Sequence, residues 1–287
     1  MKSVYPFVGW ALTHVDPVTK LKSASYPISS ELVGSDPWHY LYGTTRTQTT
    51  KANLNERFEN YYKDHGYTRA EYDKITGNWA ETDYATDCQG LLDAYLTYEC
   101  GEKTDWNADY NYKYVCESKG EISKINRDYV IGEALFMARS NGTMHHIGWV
   151  CGFTDSNEPL VVEARSLKYG VVITKLSART WTHRGLMTKK FDYAPPELEP
   201  IVLTLTSPVM EGEEIKLLQK ALNALHYTDL EGKALVEDGK CGIRTMAAVL
   251  SFSIAHAPAE EKAKPVEIFY GANGRFRLVL EEDKEGL

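Results

Sequence analysis

The sequence predicts an α+β fold for a large N-terminal domain and an all-α fold for a small C-terminal domain. Residues 87–101 carry apolar side chains at helical spacing, with Thr86 or Asp87 as a cap and Gly101 as a stop. Three later segments alternate apolar and small residues, as strands of an antiparallel sheet do: 145–153, 160–166 and 170–176. A proline-rich stretch then precedes two further helical patterns.

Composition places the domain boundaries. We predict an α+β domain over 1–194, a stiff linker over 195–204 that begins at Pro195-Pro196, and a three-helix domain over 205–260. The tail, 261–287, has two apolar segments around a glycine-containing turn and predicts a hairpin. A chain of 287 residues is long enough for both cores.

Two more segments of the first domain have sequence patterns that predict helices. Phe7, Trp10, Ala11 and Val15 recur at helical spacing, which predicts a short amphipathic helix that faces a core. Residues 44–81 are polar and helix-prone, and we expect an insertion that covers one face of the domain.

Charge and cysteine content exclude several classes of protein. A net charge of -8 argues against a nucleic-acid-binding protein, which gains most of its affinity from Lys and Arg on phosphates. The 5 cysteines form no CxxC pair and no Cys/His zinc spacing, so neither a metal nor another cofactor is expected. The N-terminus lacks the pattern of a signal peptide, and no apolar run is long enough to predict a membrane anchor.

Cys88 is the candidate nucleophile. A thiol attacks as its thiolate, and its pKa, about 8.5 when free, falls at a helix N-terminus and beside an imidazolium. The sequence places Cys88 in the first turn of its helix, where unpaired backbone N–H groups favour the thiolate and can later hold an oxyanion. The alternative is a buried structural residue, since unpaired cysteines are often buried.

Three motifs give Cys88 a context. Residues 87–91 read Asp-Cys-Gln-Gly-Leu, residues 146–152 begin His-Ile-Gly and end in Gly, and residues 40–43 read Tyr-Leu-Tyr-Gly. In this order they resemble the NlpC-type family of papain-fold cell-wall peptidases over most of residues 1–190. The resemblance implies a papain-like domain, with N-terminal helices packed on an antiparallel sheet. It also implies Cys88 as nucleophile and His146 as base.

His145 is the rival of His146 for the role of base. Successive strand residues face opposite sides, so only one of the two can face the thiol. His146 shares its face with Gly148, Val150 and Gly152, a stripe that leaves room for a helix to pack closely. We therefore predict His146.

The family takes a third catalytic residue from the next strand, where it orients the imidazole. Glu163 occupies the matching position here, although it could instead pair with Arg165 or Lys175 at the surface. The resemblance also implies substrate-binding roles for residues beside the nucleophile: Tyr40, Tyr42, Asp87 and Gln89. Gln89 stands where typical members have a small Ser that lines the groove.

The C-terminal segment from about Ser207 to His256 resembles small three-helix peptidoglycan-binding modules. The residues that match the pattern are Gly212, Ile215, Leu218, Gln219, Leu222, Asp238, Gly239, Gly242, Thr245, Ala248, Val249 and Phe252. Most of these are core positions, so they predict the fold more directly than they predict ligand binding.

Together the resemblances imply an endopeptidase that cleaves an amide bond in peptidoglycan stem peptides, by analogy the bond between D-glutamate and a diamino acid. Wall peptides and the wall glycan are the expected partners. Two other interpretations stay open: a papain-like amidase or transacylase with another acyl substrate, and an inactive wall-binding or phage structural protein. The compartment also stays open, between a phage-associated enzyme, export by another route and cytoplasmic recycling.

Overall fold

The computed structural model describes residues 1–21, 24–195, 201–203, 208–256, 266–270 and 274–279. The chain divides into two compact units, Met1–Pro196 and Glu197–Leu287. The division falls inside the proline-rich stretch, of which residues 196–200 lie outside the described part. No described helix is long and apolar enough to cross a membrane.

The helices of the first unit are short and mostly precede its main strands. They are α1 (Tyr5–Thr13), α2 (Lys51–Asn60), α3 (Arg69–Thr76), α4 (Gly90–Ala94) and α5 (Ala108–Tyr110). Both α4 and α5 continue directly into π-helical turns, Tyr95–Glu99 and Asn111–Val115.

The strands of the first unit fall into three sheets. In chain order they are β1 (Lys2–Ser3), β2 (Ala24–Ser25), β3 (His39–Tyr40), β4 (Thr47–Gln48), β5 (Tyr84–Thr86), β6 (Glu117–Glu121), β7 (Ala134–Ala138), β8 (Met144–Thr154), β9 (Pro159–Ser166), β10 (Gly170–Lys175), β11 (His183–Leu186) and β12 (Phe191–Asp192). The main sheet has the order β10-β9-β8-β7-β11-β6, and β2 pairs with the end of β8. Its pairings are antiparallel, so the predicted α+β class is confirmed.

The core lies against the centre of the main sheet. Phe7 of α1 meets Trp149 of β8 edge-on, with ring centroids 5.0 Å apart, and stacks on Phe191 at 5.7 Å. Helix α1 is buried on more sides than an amphipathic stripe would be, since Val8 and Leu12 are also fully buried. Strands β8 and β9 are buried along most of their length because side chains cover both of their faces.

The predicted insertion over 44–81 has a small core of its own. Phe58 of α2 packs on Tyr72 of α3, with ring centroids 5.2 Å apart, and Tyr62 packs on Tyr72 at 5.1 Å. Thr68 caps α3 in a reciprocal box with Glu71. These helices hold the segment that leads from β3 to β5, and β5 runs directly into Cys88.

A fully buried carboxylate joins β7 to β11. Glu133, just before β7, accepts hydrogen bonds from Arg184 Nε at 2.6 Å and Nη2 at 2.7 Å. It also accepts two from Arg127, at 2.7 and 2.9 Å. Arg184 is only 2 % exposed and its guanidinium lies 3.7 Å from the ring centroid of Tyr129. A buried charge network of this kind stabilises the fold only while every member keeps its partners.

Glu133→Gln should lower the free energy of unfolding by about 3–5 kcal/mol, because it keeps the shape of the side chain and leaves the buried Arg184 without its counter-charge. Urea unfolding followed by circular dichroism measures the change. Lys63→Met breaks an exposed ion pair with Glu59 and serves as the control that should leave the midpoint unchanged. A Glu133→Gln midpoint equal to that of the wild type would contradict this account.

The second unit contains two described helices and a small sheet. The helices are α6 (Glu213–Ala224) and α7 (Ile243–His256). Its strands are β13 (Ile201–Val202), β14 (Val266–Tyr270) and β15 (Gly274–Val279), in the order β13-β15-β14. Strands β14 and β15 are antiparallel neighbours in the tail where a hairpin is predicted, and residues 271–273 between them lie outside the described part. Of the three helices predicted over 205–260, the described residues hold two.

Gln219 connects the helices of this unit with the turn between them. Its Nε2 lies 3.0 Å from Asp238 Oδ1, and its Oε1 accepts from the Gly239 N–H at 2.8 Å. Nε2 also lies 3.0 Å from Thr245 Oγ1. Gly239 has a φ of +73°, and an added Cβ would lie 2.8 Å from a backbone oxygen, so this turn requires glycine. Gln219, which is 2 % exposed, thus has a structural role.

Candidate active site

Cys88 is held at a fixed junction of strand and helix. Strand β5 pairs in parallel with β3, with Tyr40 opposite Thr86. Asp87 then caps the helix: its Oδ1 accepts from the Gly90 N–H at 2.6 Å and its carbonyl accepts from the Leu91 N–H at 3.2 Å. Regular α-helical geometry begins at Gly90. By its hydrogen bonds, however, Asp87 is the cap, and Cys88 lies in the first turn.

Burial of the Cys88 thiol raises its pKa to about 12, and the neighbouring Asp87 carboxylate adds to the rise. Backbone N–H groups of Ile147, Gln89 and Cys88 itself act in the opposite direction. The helix end favours the thiolate, as the sequence predicts, but desolvation and a like charge outweigh its amides. At neutral pH the thiol stays protonated, and it needs a base at the moment of attack.

His146 lies on β8 immediately before Ile147, whose N–H faces the thiol. Its side chain is buried, whereas His145 is exposed. His146 Nε2 lies 2.7 Å from Glu163 Oε2. Since Nε2 is taken by Glu163, Nδ1 is the nitrogen that remains available as a base. No direct hydrogen bond joins Cys88 and His146, both of which the structure describes.

Glu163 is fully buried on β9, next to β8. Besides His146 it accepts a hydrogen bond from Thr174 Oγ1 at 2.8 Å and one from Arg179 Nη2 at 3.0 Å. A second nitrogen of the same guanidinium, Arg179 Nε, lies 3.0 Å from Glu163 Oε1. Burial raises the pKa of Glu163, but the imidazole and the guanidinium lower it more, so the pKa falls below its usual value and the carboxylate is ionised at neutral pH.

The surface pairs considered for Glu163 are not formed. Lys175 pairs instead with Glu158, at 3.5 Å. Arg165 lies over the ring of Tyr169, 4.1 Å from its centroid. Arg179 and Thr174, which do hold Glu163, were not identified from the sequence. Thr174 carries a usable signal, because it lies on β10 two pairs away from the Val172–Glu163 pair and so on the same face.

Trp181 covers the imidazole. Its ring stacks on His146 with centroids 5.5 Å apart and planes 17° apart. An added Cβ on Gly148 would lie 2.9 Å from the Trp181 ring. The small-residue stripe on this face thus makes room for Trp181, and the prediction that a helix packs there is wrong. Helix α1 packs on the opposite face, against Trp149.

The two tyrosines before the nucleophile have different positions. Tyr40 is half-buried beside Cys88 and Asp87; burial raises its pKa, and the Asp87 carboxylate and the Cys88 thiol, once ionised at high pH, add to the rise. Tyr42 is 45 % exposed and stacks on Tyr61, with centroids 3.8 Å apart and planes 10° apart. The chain between them and Cys88 is fixed by Asp87 Oδ2, which accepts from the Gly43 N–H at 3.0 Å. One face of the Tyr42 ring is therefore covered by Tyr61, while the side chain as a whole stays partly exposed.

Gln89 does not line a groove. It is 4 % exposed, accepts a hydrogen bond from Asn111 Nδ2 and donates to Asp93 Oδ1 at 3.2 Å. The side chain points into the protein because helix residues adjacent in sequence point about 100° apart. Asp87 is likewise occupied by backbone N–H groups. The structure thus assigns both residues to positioning, which corrects the predicted substrate-binding roles.

Asp93 extends this network and gives it a pH dependence. It is 2 % exposed, and burial raises its pKa to about 6, although Thr104 Oγ1 donates to it at 2.8 Å and the Trp106 N–H at 3.3 Å. The folded protein therefore binds this proton more tightly than the unfolded chain does. The contribution of Asp93 to the free energy of unfolding is therefore greatest below pH 4, and it is lost as the pH rises through about 6.

Asp93→Asn removes this titration. Relative to the variant, the wild type should lose roughly 3 kcal/mol of unfolding free energy between pH 4 and pH 7, and nothing more between pH 7 and pH 8. Urea unfolding of both proteins across that range gives the difference. A difference that does not change with pH would show that Asp93 is ionised throughout.

The described residues thus define an α+β protein in which a thiol at a helix start lies beside the Ile147 N–H, and the preceding residue, His146, contacts a buried carboxylate. The described part has no cluster of His, Cys, Asp and Glu that could hold a metal ion. No protein-family model matches the chain, and no curated protein sequence matches it.

Proposed function

We propose that the protein is a cysteine peptidase or amidase that hydrolyses an amide bond in peptidoglycan stem peptides. One observation carries the proposal. Cys88 lies against the backbone N–H of Ile147, and the preceding His146 is held through Nε2 by the buried Glu163. A thiol, an imidazole and an orienting carboxylate are the groups that covalent acyl transfer requires.

The first half-reaction makes a thioester. As Cys88 Sγ attacks the amide carbon, its proton passes to His146 Nδ1, which the Nε2–H···Glu163 bond leaves unprotonated. The imidazolium is stabilised by Glu163 and covered by Trp181. The tetrahedral intermediate then expels the amine, which takes the proton back from Nδ1.

The oxyanion of that intermediate needs donors close to the sulfur. The N–H groups of Cys88 and Gln89 face the thiol and point where a negative charge develops. In the second half-reaction, water gives a proton to Nδ1 and attacks the thioester. The acid is released and Cys88 recovers its proton.

The substrate class rests on the resemblance of three motifs to the NlpC-type peptidases, with the papain-like fold that this implies. The partly exposed ring of Tyr42, which precedes the Gly43 N–H bound by Asp87, is suited to the flat face of a sugar or peptide unit. By the same analogy the bond cleaved is that between D-glutamate and a diamino acid. The second unit would act as a wall-binding module, which raises the local substrate concentration on an insoluble polymer.

Digestion of purified peptidoglycan tests the proposal. Wild-type protein should release peptides with new amino termini, which mass spectrometry identifies, and should create no new reducing ends in the glycan. Addition of a chelator should leave the rate unchanged, because the mechanism uses no metal. Absence of new amino termini from walls of several peptide types, together with turnover of another acyl substrate, would favour the alternative amidase or transacylase.

A further inference from the structure

A second polar pocket lies at the other end of the helix that begins at Cys88. It has a volume of about 490 Å³, and its lining residues come from the β4 region, α2, β5 and the π-helical turn: Arg46, Gln48, Asn53, Tyr84 and Tyr98. Cys88 precedes α4, whereas Tyr98 lies near the end of the π-helical turn, about 15 Å further along the helix. Tyr84 lies at the start of β5, the strand that leads to Cys88, and no lining residue is one of the candidate site residues. The pocket is thus separate from the candidate active site.

Arg46 is the charged group of this pocket. Its guanidinium lies 4.7 Å from the ring centroid of Tyr98 and 5.3 Å from that of Tyr84. Contact with two rings reduces the rotamer freedom of a long side chain and leaves N–H groups at the guanidinium edge for a ligand. Among the described residues no carboxylate lies within ion-pair distance of Arg46, although the chain has 40 acidic residues.

The backbone also fixes Arg46. Its φ of +48° is in the left-handed region, which residues other than Gly, Asn and Asp rarely adopt. Such conformations are retained where the surrounding structure determines them, and they cluster at binding sites. The segment is anchored on both sides, by Leu41 accepting from Thr44 Oγ1 at 2.6 Å and by Gln48 accepting from Asn53 Nδ2 at 2.7 Å.

The lining groups select the chemistry of a ligand. One planar guanidinium, with no second cation in the lining, suits a single carboxylate better than a polyphosphate, which would need several cations. The amides of Gln48 and Asn53 and the tyrosine hydroxyl groups suit the hydroxyl and amide groups of a sugar.

We infer that the Arg46 pocket binds a sugar that carries a carboxylate. Two sources have this chemistry: muramic acid units of wall glycan from which the peptide has been removed, and uronic acids of other polysaccharides. The site does not depend on catalysis at Cys88. A site of this kind would let the first unit hold an acidic glycan while the thiol acts elsewhere.

Calorimetric titration of the full chain tests the inference with three probes: N-acetylmuramic acid, glucuronic acid and the neutral N-acetylglucosamine. At least one acid should bind, and the neutral sugar should bind at least about 10-fold more weakly. Arg46→Gln should weaken binding of the acid about 10- to 100-fold, since charge-assisted bidentate bonds are lost. Preference for one acid over the other identifies the source.

Arg69→Gln is the matched control, because it removes an equally charged side chain that also lies over a ring, outside the pocket. It should leave binding unchanged. Gln48→Ala, at an exposed position on the pocket, gives a second reading if Arg46→Gln fails to fold, and should weaken binding several-fold. Cleavage of a soluble stem peptide should not change in either pocket variant.

Equal binding of acidic and neutral sugars would overturn the inference. So would a lower melting temperature for Arg46→Gln without a change in sugar affinity, since Arg46 would then serve only to stabilise the end of the helix. Failure of all three sugars to bind the wild type would also overturn it. None of these results bears on the proposed peptidase activity, which the digestion experiment tests separately.

Discussion

Cys88→Ala should abolish peptide release from peptidoglycan, with a fall in kcat of at least about 10⁴-fold, because no other group in the site can form the thioester. The change removes a single sulfur atom from a side chain of intermediate exposure, so the fold should survive. Release of amino termini over time, followed by mass spectrometry, measures the loss. Circular dichroism confirms that the variant is folded.

Cys100→Ala is the matched control for that experiment. Cys100 is also unpaired and has the same intermediate exposure, but it lies at the end of the π-helical turn, away from His146. Its removal should leave kcat within about a factor of two. Activity that survives in Cys88→Ala and disappears in Cys100→Ala would show that the nucleophile is Cys100, at the other end of the helix, and would contradict the assignment to Cys88.

Glu163→Gln should lower kcat by about 10²- to 10⁴-fold with a small change in KM. An ionised Glu163 accepts the proton of His146 Nε2 and so leaves Nδ1 free to act as a base. In the wild type, Arg179 Nη2 lies 3.0 Å from Glu163 Oε2 and Arg179 Nε lies 3.0 Å from Oε1. A glutamine has only one side-chain oxygen, and Arg179 competes with His146 for it. The amide NH₂ then faces Nε2 and favours the tautomer with the proton on Nδ1, which cannot accept the thiol proton.

Steady-state kinetics on a soluble stem peptide measures this effect, and the pH dependence of kcat separates it from a structural one. Glu158→Gln is the control, since it changes a carboxylate that accepts from Ser177 and lies apart from His146. Its kcat should equal that of the wild type. A Glu163→Gln enzyme that keeps more than a third of the wild-type kcat would show that Glu163 serves stability alone.

Strand periodicity separated His146 from His145, because the alternation of side chains is a local property of β8. Glu163 was chosen through the resemblance to the NlpC-type family. The partners of Glu163 were not predictable in the same way. Arg179 follows β10 and a short helical turn, and it reaches Glu163 only through the folded sheet. Nothing in the local sequence of Arg179 marks it as a buried ion-pair partner.

Gln89 shows where sequence adjacency misleads. Its position beside the nucleophile predicted a role in the groove, yet its side chain enters the core and meets Asn111, 22 residues away. The sequence between these two residues contains no regular pattern that predicts their contact. The other partner of Gln89, Asp93, lies four residues later on the same helix, so the helical spacing could predict that contact.

The sequence predicted one contribution to the thiol pKa, that of the helix start, and did not predict the larger ones. The helix start lowers it, as expected from the sequence, and the Ile147 N–H lowers it further. The depth of burial and the orientation of Asp87 come from tertiary packing, and these two effects on the thiol pKa are the largest. Under the proposed function His146 therefore removes the thiol proton during attack, which is the role of base that the resemblance implies.

Peptide cleavage in the presence of hydroxylamine tests the central claim, attack by Cys88 to form an acyl-enzyme, most directly. Hydroxylamine competes with water for a thioester, so part of the product should be an acyl hydroxamate whose share rises with hydroxylamine concentration. Mass spectrometry distinguishes it from the acid by its mass. The account predicts hydroxamate from the wild type and none from Cys88→Ala; product that is acid alone at every concentration would contradict it.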